Sequence, residues 1–190
     1  MPLILITAPE AEPLSLVDAK HFLRVEHDDD DELISALIVG ARGHVEAATR
    51  RALISQTWRL TLDAWPGNGR ITVLLAPLRE VTAARVYDAA GVPQDVDPET
   101  FVLDAPGSPG AIAFPPWAVA ASERSLAGIE IDVVAGYGDA ADDVPEPLRH
   151  AIRLLVAHWY ENRGVAAESG VQPMPAGVAA LIAPYRGVAL

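Results

Sequence analysis

The amino-acid sequence predicts an α+β protein, with a helical core of three main helices and a small antiparallel β domain inserted into that core. Apolar residues recur at helical spacing in two segments before residue 54 and in one segment after residue 138. Between these segments, apolar and polar residues alternate in short runs that Gly, Pro and Asp clusters separate, a pattern typical of antiparallel strands. The return to helical spacing after the strands predicts that the β region is an insertion.

The segment 143–164 specifies a helix most completely. Asp143 and Glu146 have the spacing of a capping box, Pro145 suits the first turn, and Gly164 suits a left-handed end. The apolar residues that share one face are Leu148, Ile152, Leu155, Val156 and Trp159. We expect this face to lie in the core, but the aromatic and polar residues 158–163 exceed what a core helix requires.

Two further helices are predicted near the N-terminus, after an extended arm over residues 1–14. Ser15 and Asp18 form a capping box that opens a short helix through Arg24. Asp28–Asp31 then lead a long amphipathic helix that ends near Thr49. Carboxylates can bind Ca²⁺ or Mg²⁺, but this run lacks the spaced ligands, central glycine and distal glutamate of a calcium loop. We therefore predict no metal site.

Six short strands are predicted in the β region. Thr57–Ala64 and Ile71–Leu75 flank the turn Pro66–Gly69, which predicts an antiparallel hairpin. The other predicted strands are Val81–Asp88, Thr100–Leu103, Ala111–Phe114 and Gly128–Ala135. We expect a small antiparallel sandwich or open barrel, with long loops that include residues 105–127.

The glycine-rich segment 135–139 has two interpretations. It is similar to a phosphate-binding loop, but it lacks the Gly-Lys-Ser/Thr ending of a P-loop and the spacing of a dinucleotide site. The favoured interpretation is a chain reversal after the last strand, in which the glycines permit positive φ.

Composition narrows the classes of function. The chain of 190 residues carries 26 acidic and 14 basic residues, a net charge of −12 that disfavours binding of nucleic acid phosphates. Cysteine is absent, which excludes disulfides, thiolate metal sites and a cysteine nucleophile. The sequence shows neither a signal peptide nor the roughly 18 consecutive apolar residues of a membrane span. We expect synthesis in the cytoplasm.

Motifs that would indicate catalysis are missing from the sequence. The five histidines show no HExxH spacing, and no serine lies in a G-x-S-x-G elbow. His158 and Glu161 could form an acid–base pair, although hydrogen bonding across a helix interface explains them better. We predict no catalytic, cofactor-binding or metal-binding residues. The alternative is a small hydrolase or ligand-binding protein with a site between the helical core and the β insert.

Several segments, in order along the chain, carry a resemblance to a known family. They are Leu16–Lys20 with Phe22–Arg24, Leu33, Ile34 and Ala41-Arg42, Ser55–Trp58 with Trp65-Pro66, Ala76–Leu78, Ala135–Gly138, Val144-Pro145 with Leu148, His158–Arg163, and Pro184–Arg186. With these residues the chain resembles the head-tail connector family, also called adaptor or head-completion proteins, of long-tailed bacteriophages and gene transfer agents. Residues 89–127 match no part of that pattern.

This resemblance implies a structural adaptor without catalytic residues or cofactors. Members form a ring, usually of twelve copies, that joins the portal protein to the tail or to the next neck protein. DNA passes through the lumen without specific binding, no membrane takes part, and assembly occurs in the bacterial cytoplasm. Another neck component, such as a stopper or tail terminator, is a close alternative.

The resemblance and the sequence pattern together suggest a division of the chain. Its parts are the extended arm 1–14, the N-terminal helical part 15–53, the β domain 54–138, the core helix 139–164 and a flexible docking segment 165–190. We expect the subunit or portal interface to include Trp159, Tyr160, Arg163, Tyr185, Arg186 and Leu190. Deletion of residues 171–190 should then abolish portal binding and leave the fold intact.

Overall fold

The computed structural model describes residues 2–105, 107, 109–162 and 174–187. The helices are α1 (Leu16–Leu23), α2 (Asp31–Thr49), α3 (Glu146–Glu161) and α4 (Ala176–Ile182). The strands are β1 (Leu3–Thr7), β2 (Gln56–Leu62), β3 (Arg70–Val73), β4 (Leu78–Tyr87), β5 (Pro93–Val96), β6 (Val102–Asp104), β7 (Gly110–Ala113) and β8 (Ile129–Ala135). This content confirms the predicted α+β class.

The chain folds into two compact units. One combines the N-terminal segment through Glu10 with Ser55–Tyr137, and it contains all the strands in the described residues. The other combines Ala11–Ile54 with the described residues from Gly138 to Gly187, and it contains the four helices. Ile54 and Gly138, where the chain leaves and re-enters the helical unit, form a parallel bridge.

In the helical unit, α3 packs against α2 and α4. Leu148, Ile152 and Leu155 of α3 are almost fully buried, as the helical spacing of these residues predicts. Val178 and Ile182 of α4 have 0% of their surface exposed. Deletion of residues 171–190 would remove this buried face, so we now expect it to destabilise the helical core as well as to affect portal binding.

The ends of the helices agree only in part with the predicted caps. The Ser15 hydroxyl accepts a hydrogen bond from the Asp18 amide at 3.0 Å, as expected. Arg24 ends α1 in the left-handed region, which the sequence did not predict. The predicted capping box of α3 does not form, because the Asp143 carboxylate accepts instead from the Ala140 amide at 3.0 Å. The helix begins at Glu146 and ends at Glu161. The predicted end at Gly164 lies outside the described residues.

The strands form two antiparallel sheets, one with the order β1-β2-β8-β4-β5 and one with the order β3-β7-β6. The predicted hairpin is wrong: β2 pairs with β1 and β8, whereas β3 pairs with β7. Two strands were not among the six predicted, namely β1 in the N-terminal arm and the short β5. Gly136, directly after β8, has a φ of 146°, which confirms the predicted use of glycine in the chain reversal.

Candidate assembly surfaces

Trp159 lies at the packed contact between α3 and α2. Its ring is half-buried and meets the His44 ring edge to face, with centroids 6.0 Å apart. It also lies over Gly40, where an added Cβ would come within 3.5 Å of the Trp159 ring. Gly40 and His44 share one face of α2 because they are four residues apart. Trp159 therefore contributes to the fold of the helical unit itself.

Tyr160 also makes an internal contact. Its hydroxyl donates a hydrogen bond to the Asp30 carboxylate at 2.5 Å, which ties the end of α3 to the residue that caps α2. At the same helix end, the Asn162 side-chain amide donates to the His158 carbonyl at 2.7 Å. These hydrogen bonds explain many of the polar groups at residues 158–162 that a core helix does not require.

The C-terminal turn Ala183–Tyr185 is held by Arg51, two residues after the end of α2. The Tyr185 carbonyl accepts a hydrogen bond from Arg51 Nε at 2.8 Å, and the Tyr185 side chain is half-buried. Arg186 follows as an exposed residue. Arg163 and Leu190, the remaining predicted interface residues, lie outside the described residues. Among the described residues, Arg186 is therefore the predicted interface residue most accessible to a partner.

A second anchor of the helical unit joins the segment before α1 to α2. Arg42 donates to Glu12 at 2.8 Å and to Glu46 at 2.9 Å. Burial lowers the pKa of the Arg42 guanidinium, but the two carboxylates outweigh it and raise the pKa above its ordinary value. The second oxygen of Glu46 accepts from the Leu53 amide at 2.9 Å. This network fixes the chain on both sides of the two N-terminal helices.

A cluster of charged residues on one face of the five-stranded sheet was missed in the sequence. Asp132 of β8, only 7% exposed, accepts from Arg59 Nε at 2.6 Å and Arg59 Nη2 at 2.8 Å, and from Arg85 at 3.2 Å. Glu130 lies 3.2 Å from Arg59 and accepts from the Tyr87 hydroxyl at 3.0 Å. Three neighbouring strands thus place two guanidinium groups between two carboxylates.

The pKa values in this charged cluster shift as the geometry requires. Hydrogen bonds from Arg59, the largest cause, hold the pKa of Asp132 below its ordinary value and outweigh the opposing effect of burial. The same contact raises the pKa of Arg59. Burial first, and then the hydrogen bond to Glu130, raise the pKa of Tyr87. All these charges are internally compensated, so the cluster stabilises the sheet. The alternation of polar residues along each strand was visible in the sequence. The charged cluster could not be predicted from it, because the partners of these residues depend on the strand order.

Large apolar side chains are exposed on both units. They are Ile4, Leu5, Ile6, Leu74, Val92, Val102, Trp117 and Leu126 on the β unit, and Val17, Phe22 and Val39 on the helical unit. Trp117 is the most exposed of them, at 87%. Single exposed apolar residues are ordinary, but a Trp with so little cover is typical of a contact surface.

The described residues contain no group of three or more His, Asp or Glu residues that could hold a metal ion. In the same part of the chain, every helix is too short or too polar to span a bilayer. Grooves formed by the described residues include one of about 530 Å³ along α1 and the residues after it, and one of about 430 Å³ beside the start of β1. Exposed apolar side chains beside internally paired charges favour the class of proteins whose surfaces contact other proteins.

Comparison with known proteins agrees with this class. Residues 13–85 match the family model described as Phage gp6-like head-tail connector protein. The whole chain aligns with 97% of a chain in a structure of the neck of an empty gene transfer agent (GTA) particle computed with C6 symmetry, with 31% identity and a TM-score of 0.84. A comparison with curated proteins found no match.

Two further solved structures match over the full chain. One is the virion of a native GTA particle, with 30% identity and a TM-score of 0.82, and the other is the neck of a native GTA particle computed with C12 symmetry, with 31% identity and a TM-score of 0.79. In both, the chain covers 97% of the matched chain. This protein belongs to the head-tail connector family, as its resemblance to that family predicted.

Proposed function

We propose that this protein is an adaptor in the neck of a phage or phage-like particle, where twelve copies form a ring between the portal protein and the tail or next neck protein. The observation that carries the proposal is the similarity over the whole chain, at 31% identity, to a chain in GTA neck structures. The alignment covers 100% of this chain and therefore includes residues 89–127, which matched no family pattern in the sequence.

The charge of the protein suits a conduit for DNA. A net charge of −12 disfavours phosphate contacts that would slow the passage of DNA through a ring. Many arginines are also neutralised within the protein. Those paired with carboxylates in the described residues include Arg42, Arg59, Arg85, Arg149 and Arg153. The DNA therefore passes without specific binding, and the role of the chain is structural and not enzymatic.

The predicted interface residues divide into two groups on this proposal. Trp159 and Tyr160 hold α3 against α2 and shape the surface from within. Arg186 and, beyond the described residues, Arg163 and Leu190 contact ring neighbours or the portal. Arg is favoured at interface hot spots because its guanidinium donates several hydrogen bonds and also stacks on aromatic rings.

Deletion of the gene in the cells that produce the particle tests this function. We expect DNA-filled heads that lack tails, and a plasmid copy of the gene should restore tailed particles. A matched control is a plasmid copy that carries Asp95→Asn, since the Asp95 side chain is 89% exposed and the substitution removes one charge without an internal cost. Fully tailed, infectious or DNA-transferring particles without the gene would contradict the proposal.

A further inference from the structure

The loop that carries Trp117 is held in one conformation by a hydrogen bond and by aromatic packing. Trp117 lies in the short turn Pro116–Ala118, which the hydrogen bond from the Ala118 amide to the Pro115 carbonyl closes at 2.9 Å. Phe114, two residues before the turn, is 4% exposed, and the centroid of its ring lies 4.9 Å from that of Trp65. The prolines and the buried Phe114 restrict the conformations of the loop, so that ordering it on binding costs little conformational entropy.

Trp65 holds the other side of the same loop. Its indole Nε1 donates to the Ala120 carbonyl at 2.8 Å, so that both ends of the segment around Trp117 are fixed to one aromatic cluster. The Trp117 side chain itself remains 87% exposed. A fixed, solvent-exposed indole has the properties of an interface anchor that inserts into an apolar groove.

The helical unit carries a groove whose lining suits an indole side chain. We call it the α1 groove, and its volume is about 530 Å³. It is lined by Val17, Lys20, His21, Arg24, Val25 and Glu26. Val17 contributes an apolar wall that is 75% exposed, while the Lys20 ammonium is already neutralised by Asp28 and Asp31, each at 2.6 Å.

Arg24 supplies the cation of the α1 groove. It is exposed and adopts the left-handed conformation with a φ of 57°, where glycine is the usual residue. Within the part of the chain that the structure describes, its guanidinium has neither a hydrogen bond nor an ion pair. An uncompensated guanidinium beside an apolar wall favours the face of an indole, the best aromatic partner for a cation.

We propose that Trp117 of one copy inserts into the α1 groove of the next copy and that this contact closes the ring. The inference rests on the proposed function. A cyclic ring of more than two copies requires a heterologous contact, in which two different surfaces of the same chain meet. Trp117 and the α1 groove are two such surfaces, and they belong to different compact units.

Cross-linking in assembled particles tests the contact, and because the chain has no native cysteine, every thiol on it is an introduced one. The variant Ala118→Cys/His21→Cys keeps Trp117 and places one thiol beside it and one in the α1 groove. After mild oxidation of particles, we expect a ladder of disulfide-linked copies up to the full ring. Each single-cysteine variant should remain monomeric on the same gel. Links to a different neck protein, or no links in particles that contain the ring, would overturn the inference.

A double-mutant cycle gives a second test. Trp117→Ala and Arg24→Ala should each reduce incorporation of the protein into particles at least tenfold, and the double variant should be little worse than either. Leu126→Ala, which removes another apolar side chain that is 71% exposed, should incorporate normally. Additive effects of the two substitutions, or normal incorporation of Trp117→Ala, would refute the contact. If the wild-type protein is absent from the neck, it is the proposed function that fails.

Discussion

Replacement of Asp132 by Asn should destabilise the β unit strongly, although the two side chains have nearly the same shape. The carboxylate is 7% exposed and accepts three hydrogen bonds from Arg59 and Arg85. Asn removes the negative charge and leaves the two guanidinium groups with Glu130 and the exposed Asp95 as their remaining carboxylates. Removal of one partner from a buried ion pair costs about 3–5 kcal/mol.

The two arginine side chains retain 27% and 31% exposure, so water compensates part of that cost. We therefore expect a loss of about 2–3 kcal/mol in the free energy of unfolding. For a protein of this size, about 2–4 °C of Tm accompany each kcal/mol, which predicts a decrease of about 4–12 °C. Calorimetry and urea unfolding followed by Trp fluorescence would measure it in the transition of the β unit.

The difference in unfolding free energy between wild type and Asp132→Asn should depend on pH, and the direction of the pKa shift determines how. Since the contacts with Arg59 lower the pKa of Asp132 in the folded state, the ionised carboxylate stabilises the protein above its unfolded pKa of about 3.9. That stabilisation is lost as the pH falls through the folded pKa. The wild-type advantage should be constant from about pH 5 to pH 7 and should shrink below about pH 4.

Asp95→Asn is the matched control, because Asp95 lies 3.7 Å from the same Arg85 but its side chain is 89% exposed. It should change the stability by less than about 0.5 kcal/mol. Equal effects of the two substitutions would refute the assignment of stability to Asp132. An advantage that persists unchanged at pH 3 would show that the amide group of Asn, a donor that faces the guanidinium donors, destabilises the variant rather than the loss of charge.

The remaining predictions concern the helical unit. Ile182→Ala should cost about 3 kcal/mol in urea unfolding, because Ile182 is fully buried, and wild-type stability in the variant would contradict the packing of α4. Ser15→Ala should cost about 1 kcal/mol by loss of the bond to the Asp18 amide, while Ser35→Ala on the exposed face of α2 is the neutral control. Trp159→Ala should lower Tm, whereas Arg163→Ala should keep Tm and reduce incorporation into particles; the reverse pattern would refute their assigned roles.

The sequence predicted the helices well because their signals are local. Ser15 and the apolar spacing in α3 specify caps and faces within a few residues of chain, and the structure follows them. The start of α3 was wrong because both acidic residues of the predicted capping box have other partners. Asp143 satisfies the Ala140 amide, while Glu146 binds Arg153 at 2.5 Å and Arg149 at 2.8 Å.

The strand partners could not be predicted in the same way. Alternation in β2 identifies a strand with two distinct faces, but it does not say which strand lies beside it. A turn after β2 suggested β3, whereas β8, about 70 residues further along the chain, provides an apolar face that matches β2 across the full register from Gln56 to Leu62. The pairing of Arg59 with Asp132 follows directly from that register, and so the charged cluster was missed together with the strand order.

Interface residues were harder to predict than strand partners, because residues that contact another protein show no regular spacing in a single sequence. Aromatic residues at the end of α3 suggested an interface, but Trp159 and Tyr160 contact α2 within the protein. The sequence does not single out Trp117, because exposure cannot be predicted from the segment Pro115-Pro116-Trp117 alone. In the fold, Phe114 packs against Trp65, whereas Trp117 is left exposed to solvent.

Electron microscopy of purified particles that contain this protein tests the central claim most directly. Reconstruction of the neck without imposed symmetry should place twelve copies in one ring between the portal and the tail, with α3 and the two sheets recognisable in each copy. The same chain found in the tail tube, in the capsid shell or in no ordered ring would contradict the account.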